Sequence, residues 1–204
     1  YLNAVLAAIV FLVLFEPLQN EVEKRINQFF FRERYDLETS VVDLRRRLSH
    51  VLEVDEMVET VLAGLERSRR ITSCAVYLRD QEANGFDLAG SLGAAPPKRL
   101  ERLALRPLLD RLKTATAISL EEATREAQEA AAPLVTAAQA LGEYRAAVLV
   151  GVKGDDEEIA CIVALMDERV RDAFSPEELS LLETVAAQMA VTVANSRVYS
   201  RMKE

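Results

Sequence analysis

Tryptophan is absent from the chain, histidine occurs once (His50) and cysteine twice (Cys74 and Cys161). With no C-x-x-C pair and one histidine, a zinc site built from cysteine and histidine alone is excluded. The two cysteines each sit inside an apolar run, which favours buried thiols over a disulfide. A Ser/His/Asp set needs a histidine within the folded domain, and His50 lies on the helical linker ahead of it, so it reads as a helix-surface residue. Glycine is also scarce, its seven residues concentrated where turns are expected, and there is no glycine-rich phosphate loop. The net charge is −8, and no basic stretch is long or interleaved with aromatics, which argues against nucleic acid as a partner.

What is present suffices for one ordinary domain with helical extensions. The 204 residues are 50% hydrophobic and 28% charged, a composition that folds. From Leu2 to Phe15 only Asn3 is polar and nothing is ionisable. A 15-residue helix is about 22 Å long, short of a full bilayer span, so residues 1–15 are read as the cytoplasmic end of a transmembrane helix. The alternative is an apolar core helix. A signal peptide is disfavoured because no basic stretch precedes the run and no small-residue cleavage site follows it. Lys24, Arg25, Arg32 and Arg34 then follow, in keeping with the positive-inside tendency, and place residues 16–204 in the cytoplasm at a bacterial inner membrane.

Residues 16–54 form the expected juxtamembrane and coiled-coil-like linker. Leu37, Val41, Leu44, Leu48 and Val51 are spaced 4, 3, 4 and 3 apart, the a/d rhythm of a helical seam. They are assigned to a parallel homodimer interface, with packing of an amphipathic helix on its own domain as the alternative. Asp55 is expected to cap the next helix, either continuous with the seam or offset by a kink.

The period then changes. Ile71–Leu78 and Phe86–Leu92 read as paired strands around a turn. Pro96-Pro97 opens an expected helix to Leu112, which Pro107 should kink or split. Ala117–Leu120 is a brief strand, and the alanine-rich stretch Glu121–Leu141 is helical on either side of Pro133. Carboxylate pairs such as Glu121-Glu122 and Asp155-Asp156 fit helix-start and turn positions. Ala146–Lys153 and Ile159–Met166 are apolar at consecutive positions, as in strands covered on both faces. Ser175, Pro176 and Glu178 form a capping box at the start of a long final helix. On that helix Leu182, Ala186, Met189 and Val193 are assigned to a second dimer contact, with packing on the sheet as the equal alternative.

This order of elements resembles a GAF domain. The resemblance rests on Asp55-Glu56-Met57-Val58, Ser73–Asp80, the hairpin from Ala146 to Met166 and above all the closing segment FSPEELSLLETVAAQMA from Phe174 to Ala190. It covers residues 55–204, and implies an α/β (α+β) fold in which an antiparallel sheet is layered by helices. Upstream, Glu16-Pro17-Leu18 and Phe29–Asp36 are similar to the segment that precedes GAF domains in multi-pass bacterial sensor histidine kinases. The family's cofactors are disfavoured: bilin because the region after residue 93 holds only Cys161 and no histidine, haem because the sole histidine is outside the domain, cyclic nucleotides because their Asn-Lys signature is missing. Free-methionine-sulfoxide reductases share the fold but need cysteines in pocket loops, whereas Cys74 and Cys161 fall in strands. The resemblance therefore implies a signal-transmitting module, not itself a catalyst, whose helix packing is biased by the membrane segment or by an unidentified small-molecule ligand and which hands that change to an output domain after Glu204. The alternatives are a small-molecule or redox enzyme on this fold and a ligand-free dimerisation spacer.

Overall fold

Apolar residues on both sides of the central strands demand cover on both faces, and the fold supplies it. The computed structural model describes residues 37–80, 84–127, 131–141, 147–154, 156–167 and 174–203. The transmembrane segment expected at 1–15 and the juxtamembrane segment at 16–36 lie outside these residues. Among the described residues no helix is long and apolar enough to cross a membrane.

Among the described residues six strands, β1 (Ser73–Asp80), β2 (Gly85–Leu92), β3 (Arg99–Glu101), β4 (Ala117–Ser119), β5 (Val148–Lys153) and β6 (Ile159–Met166), form one sheet in the order β3-β2-β1-β6-β5-β4. Every neighbouring pair is antiparallel. On one face lie α1 (37–48), α2 (Val54–Arg67) and α6 (Pro176–Lys203); they bury Cys74 and Val76 of β1, Val148 and Val150 of β5, and Val163 and Leu165 of β6. On the other lie α3 (Arg102–Thr114), α4 (Leu120–Ala127) and α5 (Ala131–Gln139), over Ala75, Tyr77, Leu149, Ile162 and Ala164. The period-two alternation of strand side chains thus sorts each strand into two apolar layers.

The linker helix departs from the expected rod. It ends at residue 48, and α2 neither continues it nor kinks from it but folds back as an αα-hairpin. The register is antiparallel, with Leu44 against Gly64 and Asp43 within 3.4 Å of Arg67. Gly64 permits this approach, since a Cβ there would stand 2.9 Å from Leu44 Cδ1. Residues 36–204 consequently form one compact unit, in which α1 packs with the residues from 55 onward. Nor does Asp55 cap α2: Glu53 holds that position without a side-chain bond, while Asp55 and Glu56 sit in the first turn, where acidic groups complement the helix dipole.

Two further corrections concern the segment after β2. Residues 99–101, expected to be helical, form β3, because the Pro96-Pro97 pair keeps the chain extended long enough to pair with β2. Pro107 does not split α3. The carbonyl that loses its partner belongs to Leu103, an exposed residue in the first turn of the helix. Pro133, by contrast, stands in the first turn of α5, where its missing N–H costs nothing.

The capping box of α6 forms as expected: Glu178 N–H donates to Ser175 Oγ (3.3 Å) and Ser175 N–H to Glu178 Oε2 (2.8 Å). The same Glu178 carboxylate accepts from Arg70 Nε at 2.8 Å, and Arg70 also meets Asp167 at 2.9 Å. All three are buried, and the guanidinium lies 4.3 Å over the Phe174 ring. Arg70, which in sequence only ends a helical pattern, ties the ends of α2 and β6 to the start of α6.

Candidate functional site

On α3, Arg102, Arg106, Leu109 and Lys113 are spaced 4, 3 and 4 apart, so the helical period lines them up on one stripe. The stripe borders a cleft of about 340 Å³ between α3, the start of β2 and the β5–β6 hairpin. Phe86, Leu103, Leu109 and Ile159 supply its apolar wall. Among the described residues its charged groups are Arg102, Arg106 and Lys113, against Asp110 and Glu158.

Ile159 reaches the cleft through a register shift. Val152 pairs with Cys161 but Lys153 pairs with Ile159, which leaves Ala160 as the extra residue of a β-bulge. The bulge turns Ile159 toward α3 and Ala160 toward the opposite layer, so strict alternation is broken where the cleft needs an apolar floor. At Gly151 the absence of a side chain admits α3, as a Cβ would stand 3.0 Å from Leu112 Cβ and 3.1 Å from Ile159 Cδ1.

Glu158 spans the cleft. Its two carboxylate oxygens meet Arg102 and Lys113, each at 2.6 Å. The Lys113 ammonium, followed by the charges of Arg102 and Arg79, holds its carboxyl below the ordinary range despite partial burial. Arg79 at the end of β1 also pairs with Asp156 in the same hairpin turn. The tip of the hairpin is thus held to α3 and β1 by ion pairs at the rim, while apolar contacts hold its base.

The nine residues expected at dimer seams are all buried within the single chain. Leu37, Val41, Leu44, Leu48 and Val51 of the linker share one apolar cluster with Leu182, Ala186, Met189 and Val193 of α6, together with the α2 and sheet residues between them. These side chains are covered, as in the alternative of packing on the chain's own domain. His50 lies exposed in the turn after α1, away from the cleft.

Cys74 and Cys161 are free and buried. They face the layer opposite the cleft, in register with Leu165 and Leu78 respectively, so they neither pair nor line it. Burial pushes the Cys161 thiol up to about 12 and, with Cys161 adding to it, the Cys74 thiol higher still. Among the described residues no group of three or more histidine, cysteine or acidic side chains could hold a metal ion.

The sequence pattern does not single out the cleft residues, because the apolar rhythm of this helix stops at Leu112 and Pro107 interrupts it. A signal is nonetheless there: the 4-3-4 spacing of Arg102, Arg106, Leu109 and Lys113 marks a basic stripe interrupted by one leucine.

Among the described residues, a six-stranded antiparallel sheet in this order, with helices layered on both faces and a cleft at one end of the strands, defines a layered α/β architecture. It is the GAF fold. The chain is similar to the GAF domain from an Acinetobacter phosphoenolpyruvate-protein phosphotransferase (TM-score 0.59, 16% identity, covering 78% of this chain and 93% of that one). It is also similar to the phycoerythrobilin-bound GAF domain from a cyanobacterial phytochrome (TM-score 0.57, 13% identity, 80% and 97% covered). A third likeness is to the free methionine-R-sulfoxide reductase from Neisseria meningitidis in complex with its substrate (TM-score 0.57, 12% identity, 78% and 89% covered). No known family pattern matches the chain by sequence, and no curated protein does. Since these neighbours include a chromophore-bound domain and an enzyme, function has to be argued from the site.

Proposed function

We propose that the chain is the sensory, signal-transmitting module of a membrane-bound bacterial signalling protein, a sensor histidine kinase in its complete form, acting as a homodimer at the inner membrane with residues 16–204 cytoplasmic. The observation that carries this reading is the placement of the cleft and α6 on opposite faces of the same strands. Ile159 lines the cleft, while Ala160 and Cys161 beside it join the cluster that holds α6. A ligand that moves the β5–β6 hairpin therefore moves the bed on which α6 lies, and α6 carries the change to an output domain.

Support for the membrane comes from the apolar run Leu2–Phe15 and the basic residues after it. A cleft of about 340 Å³ lies near the small end of the range for ligand pockets, which suits a small metabolite. The module binds and transmits rather than catalyses. A thiol-based redox reaction would need a thiolate at the pocket, and both thiols are buried on the other face with raised pKa values.

Amide hydrogen exchange on wild type and Lys113→Met tests the transmission step. Loosening the hairpin is expected to change protection along α6, and unchanged α6 protection overturns the reading. The membrane assignment is checked by fractionating cells that express the intact gene product; recovery in the soluble fraction counts against it. Light scattering that returns a monomer at micromolar concentration removes the homodimer.

A further inference from the structure

Glu158 occupies a position that an incoming ligand could take. Arg102 and Lys113 lie eleven residues apart on the same stripe of α3, about 16 Å along the helix axis, yet their side chains converge on one carboxylate. That carboxylate is about one-third exposed and stands on a hairpin turn rather than on a rigid element. Glu157 beside it holds a left-handed φ of 59°. The described residues lining the cleft include three cations against two carboxylates, in a chain whose net charge is −8. Behind the cations the wall is apolar, formed by Phe86, Leu109 and Ile159.

We infer that the cleft binds a small organic carboxylate with a short apolar body, and that its carboxylate takes the place of Glu158 between Arg102 and Lys113. The apolar body lies against Phe86, Leu109 and Ile159. Arg106, on the same stripe, supplies the charge that favours an anion over the neutral analogue. Glu158 is then an internal competitor: it satisfies the two cations when the cleft is empty, and its release frees the hairpin from α3. Exchange of one carboxylate for another leaves the count of ion pairs at the cations unchanged. Net affinity is set by the apolar body and by the loss of the Glu158 contacts. The inference rests on the reading of this cleft as the sensory site.

Isothermal titration of the full chain with short monocarboxylates of graded apolar length, and with the corresponding primary amides, reads the charge requirement. The same titration on Glu158→Gln reads the exchange. The expected result is saturable binding of a carboxylate, none of its amide, and affinity at least about tenfold tighter in Glu158→Gln, where the competitor is gone and both cations remain. Arg102→Gln, which leaves Lys113 and Arg106 in place, is expected to narrow the preference for acid over amide, with melting curves checking that each variant is folded. The inference is overturned by equal binding of acid and amide, by unchanged or weaker affinity in a folded Glu158→Gln, by tighter binding of an alkyl phosphate of the same length, or by no binding of any member of the series. The acid-to-amide comparison on wild type stands even where a variant fails to fold. If carboxylates bind as expected but α6 exchange is unmoved, the sensory reading falls and the ligand assignment stands; if they fail while α6 responds to Lys113→Met, the reverse holds.

Discussion

At the residue scale, the charges that matter are those the fold brings together from distant parts of the chain. Arg70 faces two buried carboxylates, Asp167 and Glu178. Removing the cation leaves both in a site with little water, so Arg70→Ala should cost about 3–5 kcal/mol, measured by urea denaturation at neutral pH. Glu158 makes a different prediction, because its site is open to water. Its folded-state pKa is lowered from the ordinary 4.5, so its contribution to stability is present above pH 4.5 and is lost as pH falls through the lowered value. The stability gap between wild type and Glu158→Gln should therefore be widest at neutral pH and close on acidification below 4.5, as read by denaturation at stepped pH. A gap that stays constant across that window would show that the ion pairs are not its source.

At the scale of elements, the linker helix is the instructive case. Its 4-3-4-3 spacing is a true mark of an apolar stripe, but spacing alone is blind to what the stripe meets. Here it meets α2 through Gly64, a residue whose significance depends on Leu44, twenty positions away. Leu44 is 1% exposed and Val42 is 63% exposed. Leu44→Ala should cost about 2–5 kcal/mol through the cavity it leaves, whereas Val42→Ala should stay within about 0.5 kcal/mol. If the Leu44 loss is independent of protein concentration, the packing is within one chain; a loss that scales with concentration would return the stripe to a dimer seam. The strands are more legible. The bounds Ile159–Met166 follow from the sequence, because a short apolar run between turn residues admits few alternatives. The Ala160 bulge does not, since nothing in local composition says which residue of a strand is left unpaired.

At the scale of the whole molecule, α1 belongs to the same compact unit as the residues from 55 onward. A chain trimmed to begin at 55 loses α1 and uncovers the α2 face around Gly64, so its melting should become broad and low. A chain beginning at 36 should keep one cooperative transition, with differential scanning calorimetry as the measurement. Equal melting of the two would show that α1 is a passenger on the domain.

The final helix illustrates what sequence alone determined. Its capping box, its proline at N1 and its apolar periodicity are local, set by bonds within one turn and by a 3.6-residue repeat, and all can be read from the order of residues. The strand pattern and the GAF likeness are legible for the same reason. Tertiary structure decided the rest: that α1 folds back on α2, that Arg70 is buried, and that Arg102, Lys113 and Glu158 meet across a cleft. Those facts depend on which distant residues become neighbours. A carboxylate has the same sequence signature whether it faces water or closes a site between two cations, and only the packing of the hairpin against α3 tells the two apart.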